Sequence, residues 1–217
     1  MKKTSAEQNV QTGKSDISLR PLLNKDYNLI KKWYKDPRVI RYILPEKEIS
    51  SILERFIHKY FKSWIIARLF GYWLEHGHGF FILHQGQPIG VIVCWLIDKT
   101  NGTYRLPVTI GLPEYWGKGY GRKAILQAAD FIFNQLDGKR IIAGDVHMDN
   151  IRSRKMFESC GFRELSRQEA DYYRELSIPN KTRVRIREDI NMNKTDDTVS
   201  FMLRKEDFQS GNRNENC

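Results

Sequence analysis

The chain has 217 residues, 41% apolar and 29% charged, enough for one globular domain with tails that buries about two-thirds of its unfolded surface. Three widely spaced cysteines (Cys94, Cys160 and Cys217) exclude a disulfide framework and a CxxC metal pair, and fit a reducing, cytoplasmic compartment. Lys and Arg outnumber Asp and Glu by 36 to 26, and the net charge of +10 favours phosphate-bearing ligands or acidic partners. The charges are scattered, and no helix-turn-helix, RNP or zinc-finger signature accompanies them, so nucleic acid is not the expected partner.

Residues 1–16 are polar, lack the apolar segment of a signal peptide and read as a disordered tail, as do residues 209–217. Apolar and polar residues alternate over 17–22, with Pro21 near the end, which predicts a short edge strand. Asn24 is the expected N-cap of a helix whose apolar positions are Tyr27, Leu29, Ile30, Trp33 and Tyr34; Asp36-Pro37 breaks it before a short helix over 38–43. A long helical pattern covers 46–75 and ends at His76-Gly-His-Gly79. Those two histidines have no evident third ligand, so no metal is expected.

A hairpin follows, 80–84 and 89–96, and the apolar stretch it occupies is too interrupted by His84, Gln85, Gly86 and Pro88 to span a bilayer. A strand is expected over 103–112, then a helix over 120–136 stopped at Asp137-Gly138, a strand over 140–146, a helix over 151–159 and a strand over 162–166. Residues 168–197 are charged with little periodicity and read as an irregular insertion, before a last strand over 198–204. The order predicts an α/β (α+β) layer fold with a mixed sheet in one domain, 17–208.

The densest signal is Thr109-Ile-Gly-Leu-Pro-Glu-Tyr-Trp-Gly-Lys-Gly-Tyr-Gly-Arg-Lys-Ala124. A strand feeds a loop with Gly117, Gly119 and Gly121, and the loop opens into an amphipathic helix. Glycines let a ligand approach the backbone, the first N–H groups of a helix lack internal partners, and the helix dipole adds positive charge, so the site suits phosphate. Lys118, Arg122 and Lys123 add full charges. A Walker A loop is excluded, because Gly119 rather than Ser or Thr follows Lys118. Gly119-Tyr-Gly-Arg-Lys-Ala124 fits the looser dinucleotide fingerprint, and Asp145 sits roughly where a ribose-binding acid would, but too little chain follows for the βα units such a domain needs.

The loop resembles the main cofactor motif of the GNAT superfamily of acetyltransferases, [R/Q]-x-x-G-x-[G/A], with Trp116 where Arg or Gln is usual. Trp-Gly-Lys-Gly-Tyr is itself common in the branch containing ribosomal-protein alanine acetyltransferases. A second signature, N-x-x-[S/A] followed by an aromatic and Gly-Phe, is matched by Asn150, Ser153, Phe157, Gly161 and Phe162. Ser18-Leu-Arg-Pro21 and the closing segment 199–208 also resemble this branch, and the insertion lies outside the resemblance. The resemblance implies a GNAT-like, mostly antiparallel central sheet flanked by helices, and acetyl-CoA as cosubstrate. It places the pyrophosphate on Gly117, Lys118, Gly119, Tyr120, Gly121 and Arg122, the thioester carbonyl along Ile110, Gly111 and Leu112, and the pantetheine or adenine side near Asn150, Ser153 and Phe157. From the residues alone, Asn150 is a good N-cap, Gly161 a good helix terminator and Phe157 a core candidate.

Amine acetylation needs a proton taken from an ammonium, an oxyanion held and a thiolate protonated. Many relatives carry a Glu near the position of Leu106, which cannot act as a base. Asp145 matches an Asp found before the same Asn in aminoglycoside 6′-N-acetyltransferases and siderophore acyltransferases; it is the first candidate base, or else a turn cap. His147 is the second and Glu114 the third. The Tyr that commonly serves as the family's general acid is Phe157 here, leaving Tyr115, Tyr120 or water. Arg174, Lys181, Arg183, Arg185 and Arg187 of the insertion either greet an acidic acceptor or form a solvated loop. The expected activity is acetyl transfer to a primary amine: an aminoglycoside, polyamine, amino sugar or protein N-terminus. A coenzyme A-binding module without chemistry and a hydroxylamine acyltransferase are the alternatives, and a homodimer is left open.

Overall fold

The computed structural model describes residues 16–42, 77–177 and 197–214. The helical pattern at 46–75, His76, the tail before Asp16, most of the predicted insertion and Cys217 lie outside these residues. The elements in chain order are β1 (Ile17–Pro21), a 3-10 turn (Asn24–Asp26), α1 (Tyr27–Trp33), α2 (Pro37–Ile40), β2 (Gly77–His84), β3 (Gln87–Asp98), β4 (Thr103–Arg105) and β5 (Val108–Ile110). A 3-10 turn (Pro113–Tyr115) precedes α3 (Tyr120–Asn134), β6 (Arg140–His147), α4 (Ile151–Ser159), β7 (Arg163–Glu164), α5 (Arg167–Ser177), β8 (Thr198–Arg204) and α6 (Lys205–Asn214). The described residues divide into two compact units, one of 16–42, 77–95 and 107–128, the other of 96–106, 129–177 and 197–214.

In the first unit, β1 pairs antiparallel with β2, β2 with β3, and β3 with β5. The strands are long apolar runs rather than alternating ones, and Phe80, Phe81, Ile82, Ile89, Val91, Ile92 and Val93 are all buried. Helix α1 starts after Asp26 rather than Asn24, because the Asp26 carboxylate closes the preceding turn: it accepts from the Leu23 N–H at 2.8 Å and from Arg20 at 3.1 Å. Trp33 sits edge-on to Phe81, ring centroids 5.6 Å apart, in a core with Leu22, Ile30, Tyr34, Val39 and Ile40. Cys94 is buried on β3, and that burial pushes its thiol up to about 12.

In the second unit the strand order is β4-β6-β8-β7, with β4–β6 parallel and the other two pairings antiparallel. The fold is therefore the mixed, mostly antiparallel α/β arrangement read from the sequence. Three elements differ from expectation. The strand over 103–112 is two strands, since Pro107 has no N–H to continue a ladder: the Leu106 N–H goes to the Ile142 carbonyl, while the Pro107 carbonyl accepts from Val93. Residues 205–214 form α6, where a tail was expected from 209; Phe208 packs on Phe133 and the Lys205 ammonium binds the Phe133 carbonyl.

The third difference is α5, inside the predicted insertion. Its start is a capping box: Ser166 Oγ accepts the Glu169 N–H at 3.3 Å, and the Glu169 carboxylate accepts the Ser166 N–H at 3.0 Å. Ala170 and Tyr173, on one face, pack with Ile142, Leu165 and Met202. The hydrogen bonds from Arg163 and Ser166 lower the Glu169 carboxyl to about 2. Because the folded value is depressed, its contribution is full above the ordinary 4.5 and is lost as pH falls toward 2. Replacing Ser166 with Ala should cost about 1 kcal/mol at neutral pH, seen as a lower urea midpoint. In Glu169→Gln, acid unfolding should lose its component between pH 4.5 and 2.

Candidate functional site

The first unit holds the strand end and the glycine loop. Antiparallel bonding between β3 and β5 uses Pro107 (to Val93) and Gly111, whose N–H donates to the Ile89 carbonyl at 2.9 Å. Alternation then turns the backbone groups of Val108, Ile110 and Leu112 away from β3. The Ile110 carbonyl accepts the Trp116 indole N–H at 2.9 Å, and the Leu112 carbonyl accepts the Tyr115 N–H at 3.0 Å. With both carbonyls accepting inside the loop, the N–H groups of Ile110 and Leu112 are what this strand end offers outward. Gly111 is needed for a packing reason: a Cβ there would lie 2.2 Å from the Trp33 ring.

Gly117 and Gly119 have φ of +74° and +80°, and a Cβ at either would meet nothing within 4 Å, so their surface is open to a ligand. Helix α3 begins at Tyr120 with no acid in its first turn; Arg122 and Lys123 stand there instead. Cations at the positive end of a helix dipole destabilise it by about 0.3–1 kcal/mol each, so the arrangement suits an anion. Lys118 is exposed and lies over the Tyr115 ring at 5.5 Å. The Tyr120 hydroxyl pairs with His84 Nε2 at 3.1 Å, and His84 also meets Tyr115 edge-on. His84 was not foreseen from the sequence, since only the register of β2 brings it to the loop. Lys123 pairs with Asp16, so Asp16 is anchored rather than part of a tail.

The second unit holds the other predicted residues. Asn150 is the N-cap of α4, its side chain accepting the Ser153 N–H at 3.2 Å. Ser153 is half-buried on the first turn, and His147 is half-buried at the end of β6. Phe157 is 3% exposed and packs between Phe162 and Phe201, centroids 5.3 and 5.9 Å away, as the core reading of it expects. Leu106 is fully buried core.

Asp145 sits in a network that the sequence did not announce. The register of β6 on β8 breaks between Ala143 and Val146, and Asp145 sits in that break. Arg105 reaches one carboxylate oxygen at 3.2 Å; Arg174 of α5, at 3.1 Å, and Ser200, at 3.1 Å, reach the other. Burial pushes the Asp145 carboxyl up, but the two guanidiniums and the hydrogen bonds outweigh it and hold the group below the usual carboxylate range. A base for an ammonium needs a value near the working pH, so this setting opposes the expected role and makes Asp145 an anchor. Arg174 is spent on Asp145 and Asp171, while Lys181, Arg183, Arg185 and Arg187 lie outside the described residues. His78 is on β2, its imidazole pulled down by burial. Among the described residues no group of three or more His, Cys, Asp or Glu is placed to hold a metal, and no helix is long and apolar enough to cross a membrane.

The acetyltransferase (GNAT) domain family matches residues 16–163, and the chain belongs to that family. Among solved structures it is similar to the spermidine N-acetyltransferase of Vibrio cholerae in complex with CoA and spermine, at 19% identity over 89% of this chain and 98% of that one, TM-score 0.59. An aminoglycoside acetyltransferase in complex with coenzyme A matches at 14% identity, over 89% and 98%, TM-score 0.59. An uncharacterised protein from Bacillus halodurans matches at 14%, over 89% and 86%, TM-score 0.60. At these identities the likeness is one of fold.

Replacing Asp145 with Asn should lower the unfolding free energy by about 2 kcal/mol, because two partly buried guanidiniums lose their counter-charge. The depressed carboxyl places the wild-type contribution above pH 3.8, and it is lost as pH falls below that. Urea unfolding at pH 7 and pH 3 checks both; a general base would instead cut turnover and leave stability intact.

Proposed function

We propose that the chain is an acetyl-CoA-dependent N-acetyltransferase acting on the primary amine of a small molecule, with polyamines and aminoglycosides as the acceptor classes to test first. The observation that carries this reading is the glycine loop of a family-matched domain: two left-handed glycines with open surface, followed by a helix whose first turn is basic and free of acids. The residues fit the cosubstrate. Gly117, Lys118, Gly119, Gly121 and Arg122 suit the pyrophosphate through backbone N–H groups and charge. The half-buried, outward backbone of Ile110 and Leu112 suits the thioester.

In the reaction the amine nitrogen bonds to the acetyl carbonyl carbon, the carbon–sulfur bond breaks, the thiolate leaves and takes up a proton, and the amine gives one up. The Ile110 N–H is aimed to hold the developing oxyanion. Because its two arginines hold Asp145 ionised, His147, the second candidate the sequence offers, is assigned the ammonium proton on sequence grounds alone. The thiolate takes its proton from Tyr115, Tyr120 or water. The polyamine and aminoglycoside preference rests on the similarity to enzymes that act on those amines.

Thiol release from acetyl-CoA, followed with spermidine, an aminoglycoside, an amino sugar and a short peptide, tests the reading. Turnover on a polycationic small molecule is expected. His147→Gln should lower kcat about 10²-fold or more with coenzyme A affinity unchanged. Gly119→Asp should weaken coenzyme A binding at least tenfold, by placing a negative side chain at the phosphates. Coenzyme A binding without turnover on any amine would leave a binding module, and no binding would overturn the reading.

A further inference from the structure

We propose that Trp116 is a positioning residue whose indole N–H, by holding the Ile110 carbonyl, locks the end of β5 to the glycine loop so that both present coenzyme A-binding backbone in one fixed spacing; this rests on the function proposed above. Trp116 stands immediately before Gly117, at the residue that closes the 3-10 turn, and its own N–H donates to the Pro113 carbonyl at 3.0 Å. From there its side chain turns back to the strand it has just left, reaching the Ile110 carbonyl at 2.9 Å. Residues 110–116 are thereby a closed ring: strand end, turn, indole, strand end.

The ring is anchored in the core. Trp116 and Leu112 both pack against the core cluster that contains Trp33, Tyr34, Val39 and Ile40, and Trp33 covers Gly111. The neighbouring glycines are the opposite case, with open space around their Cβ positions. A loop with two left-handed glycines has a large unfolded-state entropy to lose when it binds. The indole hydrogen bond does not restrain those glycines, which follow the ring, but it fixes where their loop begins before a ligand arrives, which is preorganisation. It also occupies the outward Ile110 carbonyl, an acceptor that would otherwise face the same edge as the Ile110 N–H and repel a developing oxyanion.

The chemistry of the position accounts for the unusual residue. The indole nitrogen of Trp, the amide nitrogen of Gln and the ε-nitrogen of Arg are all N–H donors the same number of bonds from Cα. Trp116 thus delivers the same donor to the same reach, with a ring that fills the core beside it.

Two variants separate the donor from the ring. Trp116→Phe keeps an aromatic ring and loses the N–H; Trp116→Gln keeps the donor and loses the ring. Coenzyme A affinity by calorimetry is the readout, with thermal unfolding of each free protein alongside and the KM for acetyl-CoA measured separately from kcat. Trp116→Phe should weaken coenzyme A binding about three- to tenfold, the worth of one hydrogen bond, and raise KM by a similar factor. Trp116→Gln should recover most of that affinity even where its melting temperature is the lower of the two. Wild-type affinity in the Phe variant would overturn the inference, as would a Gln variant as weak as the Phe variant, because a restored donor would then restore nothing. A wild-type chain that binds no coenzyme A would overturn the functional reading as well, so the two failures are distinguishable.

Discussion

A side chain that is not there fixes the cofactor end of this protein. Gly111 lets the Trp33 ring lie directly on the backbone, and a single methyl at that position would meet the ring at 2.2 Å. The contact places the strand end against the first unit's core, where Phe81, Tyr34 and Val39 already surround Trp33. From that fixed point the chain leaves the sheet, turns once through Pro113–Tyr115 and enters the glycine loop. The core here is close-packed and transmits position rather than absorbing it. The loop can therefore be rich in glycine at its open residues without being undefined at its base.

The second unit is organised by charge instead. Arg105, from β4, and Arg174, from α5, converge on one carboxylate in a break of β6, and Ser200 of β8 adds a hydroxyl. Four elements are tied at one residue. An isolated carboxylate at this depth would be pushed toward its neutral form, and the paired guanidiniums reverse that. The same arrangement that makes Asp145 useful as a tie makes it a poor proton acceptor, because a group held firmly ionised has little affinity for the proton it would have to take.

Much of this was legible in the sequence where a local rule determines the outcome. The glycine loop could be read because left-handed turns demand glycine and the helix after it announces itself by periodicity. Asn150 could be read as a cap because its bond spans only three residues. Residues 167–177 were misread although Ser166 and Glu169 spell a capping box, because the helix buries so little: Ala170 is its one fully buried residue, and charged neighbours mask the pattern. The setting of Asp145 was hidden for a different reason. Its partners lie 40, 29 and 55 residues away in the chain, and no local pattern pairs an acid with such distant cations. The split of the strand at Pro107 was visible as a proline, but not that the two halves take different partners.

Cys94 carries a consequence for a protein assigned to thiol chemistry. With its thiol pushed up to about 12, it is almost wholly protonated at any physiological pH, and burial on β3 removes it from encounter. Cys160 is buried too. A thioester cosubstrate therefore meets no competing thiolate at either position, so the acetyl group is not diverted onto sulfur and the released coenzyme forms no mixed disulfide there. Among the described residues, these two buried cysteines therefore offer the acyl group no sulfur acceptor.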